Sequence, residues 1–314
     1  MSISKLIKIA AALFAAGIIL FFVGSIFGGK GVFINSKFQM VVPDDSDYYE
    51  YENRDLEAFT SVNIDVRNMP VTFFPSDNGL YGVELAYYAT DKDNMLIEVK
   101  DGTLKVKSKS EMRWLSFDLS FLNGTKRNKE YVIVYLPKQE YETIDAFTSN
   151  GSIIMEKADF AAKTLILDTS NAPIMVSGIK ADMVTTDTSN GTVNLSGIVS
   201  EKIRVETSNA PVTVSDCAAS KFEISTSNGQ VHLEKLTFED GERDVSVKTS
   251  NGGISAEFPE CRETDFRINA DTSNANIYVN GEKLRDNEYT TKNGDGRLRL
   301  DTSNSRIEMY FGLD

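Results

Sequence analysis

A single tetrad constrains what this chain can fold into. Thr-Ser-Asn followed by a small residue occurs eight times, beginning at Thr148, Thr169, Thr188, Thr207, Thr226, Thr249, Thr272 and Thr302. The residue after Asn is Gly151, Ala172, Gly191, Ala210, Gly229, Gly252, Ala275 or Ser305. Successive starts lie 21, 19, 19, 19, 23, 23 and 30 residues apart. Self-similarity at about 20 residues marks a solenoid, in which each repeat buries its apolar face only against its neighbours.

The flanking residues specify the coil. Four before each Thr stand Ile144, Leu165, Val184, Ile203, Phe222, Val245, Ile268 and Leu298, and two before it stand residues such as Leu167, Val205 and Leu300. Five after it stand Ile153, Ile174, Val193, Val212, Val231, Ile254, Ile277 and Ile307, and seven after it residues such as Val176, Leu195 and Met309. Polar residues such as Asp168, Asn194 and Arg204 occupy the positions between. That is period two on both sides of the tetrad, so the tetrad joins two short strands with one buried face each. The predicted fold is all-β, a parallel β-solenoid (β-helix). The turn column Asn150, Asn171, Asn190, Asn209, Asn228, Asn251, Asn274 and Asn304 has a steric reading: Asn tolerates left-handed backbone angles, and a small residue must follow where turns stack closely. Stacked Asn side chains would hydrogen-bond along the column.

Ahead of the clear repeats, Val62, Ile64 and Val66, then Asn68, Met69 and Pro70, then Val71 and Phe73 read as a degenerate first coil. Met95, Ile97 and Val99, then Asp101-Gly102, then Leu104 and Val106 read as a second, and Tyr131 to Leu136 as a strand leading into the array. Two degenerate coils and eight regular ones give about ten, a stack of roughly 48 Å. Residues 108–130 interrupt the pattern with the single Trp and many basic residues; they are expected to form a capping hairpin, with Trp114, Phe117, Lys126 and Arg127 as the alternative partner or membrane contact. Gly281 to Gly296 is expected to form a second hairpin near the other end.

The N-terminus has a different character. Ile9 to Phe27 is 19 residues without a charge, preceded by Lys5 and Lys8. It is long enough for roughly 28 Å of helix, about one hydrocarbon core. This favours an uncleaved transmembrane anchor over a signal peptide, whose apolar region is shorter. The expected organisation is an anchor over 1–30, a linker over 31–55 and the repeat domain over 56–314, placing a single-pass protein in the cell membrane with its C-terminal domain extracytoplasmic. The net charge is -13; residues 1–43 carry four Lys and no acid, so the remainder carries -17. Such a surface argues against nucleic acid as a partner and against unaided docking to anionic lipid or wall polymer.

Chemistry is scarce. The single histidine, His232, falls in the outward register. Cys217 falls where neighbouring coils place Ile179, Ile198 and Leu236, and Cys261 lies two coils on, too far for a disulfide, so two free thiols are expected. Asp168, Asp187 and Glu206 occupy one column in consecutive coils. They read as a solvated acidic face, the alternative being a bridging divalent cation. No cofactor is expected.

A lysine-flanked N-terminal helix, the opening coil at Val62 to Phe73, Asp101-Gly102-Thr103-Leu104, Tyr135-Leu136-Pro137 and the Thr-Ser-Asn-Gly coils together resemble the bacterial "putative adhesin" family of β-strand-repeat domains of unknown function, which includes Lia-type accessory proteins of the envelope-stress response. The resemblance implies a membrane-anchored β-solenoid and brings no catalytic residues. Three functions are open: a non-enzymatic envelope module binding a protein or polymer along its stacked faces, a regulatory subunit of a membrane envelope-stress complex, and, least favoured, a polysaccharide-active β-helix enzyme, which would need a carboxylate-lined cleft that the regular repeats do not announce.

Overall fold

The computed structural model describes residues 32–34, 40–41, 48–88, 94–109, 115–117, 129–238 and 243–313. The expected membrane helix and Trp114, Lys126 and Arg127 lie outside them. Among the described residues no helix is long and apolar enough to cross a membrane. The chain divides into two compact units. The smaller comprises residues 1–49, 86–94 and 109–129; there Val32–Ile34 pairs antiparallel with both Met40–Val41 and Leu115–Phe117, Phe117 opposite Val32.

The larger unit is the solenoid. Each regular coil sends one strand into a 12-stranded sheet, then turns through the tetrad into a shorter strand of a 13-stranded sheet. Ala161–Thr169 followed by Ile174–Ser177 is typical. Parallel pairing aligns equivalent residues in register, Leu165 with Val184 with Ile203 in one sheet and Ile174 with Val193 with Val212 in the other. The two inner faces share one core: Leu165, Leu167, Ile174 and Val176 are each exposed by no more than 2%. Four such side chains stabilise each level by about 1.5–3 kcal/mol apiece.

The tetrad turns stack through their backbone. Ser170 and Asn171 both donate N–H to Ser149 O, at 3.1 and 3.0 Å, and the same fork recurs upward as Ser189 and Asn190 on Ser170. The Asn side chains form an unbroken ladder: Asn171 Nδ2 donates to Asn150 Oδ1 at 2.7 Å, Asn190 to Asn171 at 2.7 Å, Asn209 to Asn190 at 2.7 Å and Asn228 to Asn209 at 2.8 Å. Asn150 also donates to Asn68, so the degenerate first coil joins the ladder.

From Asn68 to Asn228 two turn types alternate. Met69, Ala172 and Ala210 precede Pro70, Pro173 and Pro211, and a residue before proline is driven to extended angles. Their carbonyls then project at the next turn. A Cβ on Gly151 would lie 2.0 Å from Met69 O, one on Gly191 1.7 Å from Ala172 O, and one on Gly229 1.8 Å from Ala210 O. Only glycine fits above a proline turn. In the glycine turns the inward Thr hydroxyl accepts the Gly N–H, as Thr188 does from Gly191 at 3.1 Å. In the proline turn at Thr169 it donates instead to Gly151 O at 3.0 Å.

Three expectations about the turns and the first coils are corrected. First, none of the ladder asparagines has a positive φ; the left-handed residues sit in the opposite turn, as Lys157, Gly178, Gly197, Asp216 and Lys235. Asn is selected here by its two-ended amide, not by its backbone. Second, Met95–Lys100 and Thr103–Ser108 are not a coil but an antiparallel hairpin in one sheet. Asp101 and Gly102, with φ of 52° and 70°, form the tight reversal that a two-residue hairpin demands. Thr103–Ser108 and Tyr131–Leu136 instead supply the two halves of one level, stacked outside the Val62–Phe73 coil on strands Ser61–Asp65 and Val71–Pro75. Third, the segment read as linker ends in a strand, Tyr48–Leu56, at the edge of the 13-stranded sheet. Glu50, Glu52 and Arg54 mask its alternation.

The C-terminal end is also out of sequence order. Gly296–Thr302 pairs with Asp244–Lys248 on one side and Phe266–Thr272 on the other, so the last coil is inserted below the one that precedes it. Within Gly281 to Gly296 the expected hairpin is instead two separate antiparallel strands: Glu282–Lys283 covers one sheet and Glu288–Thr290 the other. The ladder follows space, not sequence: Asn304 donates to Asn251 and accepts from Asn274, both at 2.7 Å.

This order fixes a stability prediction. Asn209→Leu and Asn304→Leu each remove two ladder bonds and should each cost roughly 1–3 kcal/mol; Asn274→Leu removes one and should cost roughly half as much. Chemical denaturation midpoints decide it, since a sequentially stacked solenoid would instead make Asn304 the inexpensive site.

Candidate functional site

With the inner faces packed, the outer faces carry whatever this domain presents. On the 12-stranded sheet, Asp168, Asp187 and Glu206 align in register. Burial and then the neighbouring Asp187 raise the pKa of Asp168; burial and then Glu206 raise that of Asp187. Among the described residues no three Asp, Glu, His or Cys side chains converge as metal ligands do. Further along this face the charges neutralise one another. Glu223 lies 2.7 Å from Lys202 and 2.8 Å from Lys221, whose hydrogen bonds hold its pKa down to about 2. That stabilisation is present above the ordinary carboxylate pKa and is lost as pH falls towards the folded value. The nearly buried Asp244 meets Arg297 of the inserted coil at 2.6 Å.

The 13-stranded sheet has a different outer face. Phe74 and Tyr135 are register partners on adjacent strands, their rings 6.0 Å apart and stacked at 27°. Phe74 is 42% exposed, the kind of aromatic that a strand normally turns inward. The Arg54 guanidinium lies 3.5 Å from the Tyr135 ring centroid. Glu84 fastens the group: it accepts hydrogen bonds from Arg54 Nη2 at 2.8 Å, Tyr131 OH at 3.0 Å and Tyr135 OH at 3.3 Å. Burial, then the Glu84 carboxylate, raises the Tyr135 pKa and keeps the phenol protonated. Half-buried Ile133, Thr72, Ile154 and Met175 form the next row across neighbouring strands, apolar except at Thr72.

This arrangement is a rigid aromatic platform rimmed by a guanidinium and a carboxylate. It can stack a flat or apolar-faced ligand and hydrogen-bond its edge. It is poorly suited to acid–base chemistry, because Glu84 already serves three donors. Sequence periodicity missed it. Phe74 falls in the outward register beside Phe73 and reads as a strand residue, and Arg54 and Glu84 lie in segments with no repeat.

The sequence-predicted residues fall elsewhere. The column Asn150, Asn171, Asn190, Asn209, Asn228, Asn251, Asn274 and Asn304 is a structural ladder on an exposed corner. His232 is on the outer face, 3.4 Å from Gln230 Oε1. Cys217 and Cys261 are free and buried. Burial pushes the Cys217 thiol up to about 11, with its Sγ donating to Ser215 O at 3.2 Å.

Residues 59–309 match the family model described as Toastrack DUF4097. No curated protein matches the sequence. Similar solved structures include a "putative adhesin" from Bacteroides fragilis NCTC 9343, with 11% identity, a TM-score of 0.47, and coverage of 85% of this chain and 98% of that one. Another is a "putative lipid binding protein" from Parabacteroides distasonis ATCC 8503, with 12% identity, a TM-score of 0.44, and coverage of 86% and 96%.

Two measurements test the site assignments. Because the Asp187 pKa is raised, its charge weakens the fold at neutral pH, and the penalty fades as pH falls through the folded value. Asp187→Asn should therefore stabilise by about a few tenths of a kcal/mol at neutral pH and by nothing once the carboxylates are protonated. A destabilised variant would mark the column as a favourable site. Native Cys217 should stay unmodified by thiol reagents until denaturant unfolds the domain; prompt labelling would place it outside the core.

Proposed function

We propose, of a chain that belongs to the Toastrack DUF4097 family, that it is a non-enzymatic, adhesin-like binding module of the bacterial cell envelope. In this reading Ile9 to Phe27 crosses the membrane once as an uncleaved anchor, and the solenoid lies outside the cytoplasm and engages an envelope polymer or protein. The observation that carries it is the Phe74–Tyr135 platform. An exposed Phe74 stacked on a half-buried Tyr135, itself held by Arg54 and Glu84, presents contact area at little entropic cost, which is what recognition requires. The saturated Glu84 supports binding rather than hydrolysis. The uncharged run behind Lys5 and Lys8 supports the anchor.

The second reading is a regulatory subunit of an envelope-stress complex of the Lia type. It is favoured by the basic run that includes Lys100, Lys105, Lys107 and Lys109, which suits an acidic partner. It would act through the membrane helix and the segment holding Trp114, Phe117, Lys126 and Arg127.

Two variants separate these readings. Removal of residues 2–27 should leave a soluble polymer binder active, whereas a membrane-complex subunit should lose its association. Phe74→Ala should weaken retention on isolated cell envelope by at least about tenfold, the scale of an aromatic hot spot, with an unchanged denaturation midpoint. Full retention by Phe74→Ala would remove the platform from the binding site.

A further inference from the structure

We propose that the four Asn-Gly turns of the ladder, at Asn150, Asn190, Asn228 and Asn251, are deamidation sites that the folded array holds shut, so that the chain carries a chemical record of unfolding. Asn-Gly is the most reactive dipeptide for this modification because glycine leaves the backbone nitrogen unobstructed. That nitrogen attacks Cγ of the preceding Asn and gives up its proton. The side-chain nitrogen leaves as ammonia, and a succinimide ring closes. Water then opens the ring to an aspartyl or isoaspartyl residue. The net change is amide plus water to acid plus ammonia, with no oxidant or reductant.

The array cannot avoid the dipeptide. Added Cβ atoms at Gly151, Gly191, Gly229 and Gly252 would lie between 1.6 and 2.0 Å from a neighbouring turn's carbonyl oxygen. Yet both reacting groups are occupied. The attacking Gly N–H donates to the Thr hydroxyl three residues back, at 3.3 Å for Gly151 and 3.1 Å for Gly191, Gly229 and Gly252. Among the described residues this hydroxyl bond occurs at all four Asn-Gly turns of the ladder and at none of its Asn-Ala or Asn-Ser turns. The departing Nδ2 donates to the Asn below, and Oδ1 accepts from the Asn above. Ring closure would break all three bonds. At the net worth of ordinary protein hydrogen bonds, this slows the reaction on the order of tenfold to a thousandfold.

The same molecule contains its control. Asn293 is exposed and Gly294 is half-buried beside the Phe266 backbone, and neither residue has a hydrogen-bond partner among the described residues. The effect of modification is directional as well. An aspartate in the ladder places a carboxylate oxygen against a neighbour's Oδ1 where a donor is needed, and an isoaspartate lengthens the turn by one backbone carbon.

Peptide mapping of the full-length protein, incubated at mildly alkaline pH folded and in urea, tests this. In urea the four ladder sites should convert at rates close to that of Asn293. In the folded protein Asn293 should convert while the ladder sites run at least about tenfold slower than in urea. Chains modified in urea should refold in lower yield, with the unrefolded fraction enriched in ladder aspartate and isoaspartate. Ladder conversion in the folded protein within threefold of the urea rate overturns the proposal, as does refolding that is indifferent to ladder modification. Thr188→Val assigns the hydroxyl: in the folded variant, conversion at Asn190 should exceed that at Asn228 severalfold, and equal rates would remove Thr188 from the protection. If Thr188→Val does not fold, the wild-type comparison still decides.

Discussion

The closeness of successive tetrad turns governs this structure. At each glycine turn the carbonyl oxygen of a neighbouring turn occupies the space where a Cβ would lie. That contact sets glycine above each proline turn, forces the turns into exact register and brings the asparagine amides within hydrogen-bonding distance. Everything else in the coil follows from the spacing. The strands leaving the turn pair in parallel, their period-two residues fall into columns, and the columns close a core between two sheets. A conserved strand spacing alone would leave the register to side-chain packing. The turns remove that freedom.

With the interior committed to columns of Ile, Leu and Val, the domain can differ from coil to coil only on its outer faces. The 12-stranded sheet uses that freedom for charge, first an acidic column in which Glu206 is paired with Arg204 and then interlocked pairs around Glu223 and Asp244. The 13-stranded sheet uses it for Phe74, Tyr135 and the groups that brace them. Charge on one face sets long-range repulsion, while the aromatic face offers contact area that desolvation would strengthen. The absence of a repeat in Arg54 and Glu84 is informative: residues outside the periodic array are the ones that distinguish this domain from a uniform scaffold.

The repeated half of the fold was legible because each position has one environment, visited eight times. The apolar registers, the inward Thr column, the Cys217 position and the need for a small residue after Asn all follow from that repetition. Where a feature occurs once, the reading was weaker. Asp101-Gly102 was aligned with a coil turn although that dipeptide is a hairpin signal in its own right. Of the two roles the sequence suggests for Asn, the side-chain ladder is present, whereas the left-handed angles fall at Lys157, Gly178, Gly197, Asp216 and Lys235. The sequence hides this because Lys, Gly and Asp share no side-chain property that periodicity can detect. Phe74, Arg54 and Glu84 meet only through pairing between strands distant in sequence, so no local pattern joins them.

The insertion of the final coil below its predecessor has an evolutionary consequence. A simple stack can lengthen by adding a coil at its end, since the new coil finds an open edge. Here the last segment is clasped between two levels, and the outermost level is closed by Glu282–Lys283 and Glu288–Thr290. The other end is closed by segments drawn from three separate stretches of chain. Duplication or loss of repeats can therefore be accommodated only in the uniform middle, where Ala161–Thr169, Lys180–Thr188 and Val199–Thr207 follow one another in order. The length of such a domain is adjustable from within, like a table extended by leaves between fixed ends.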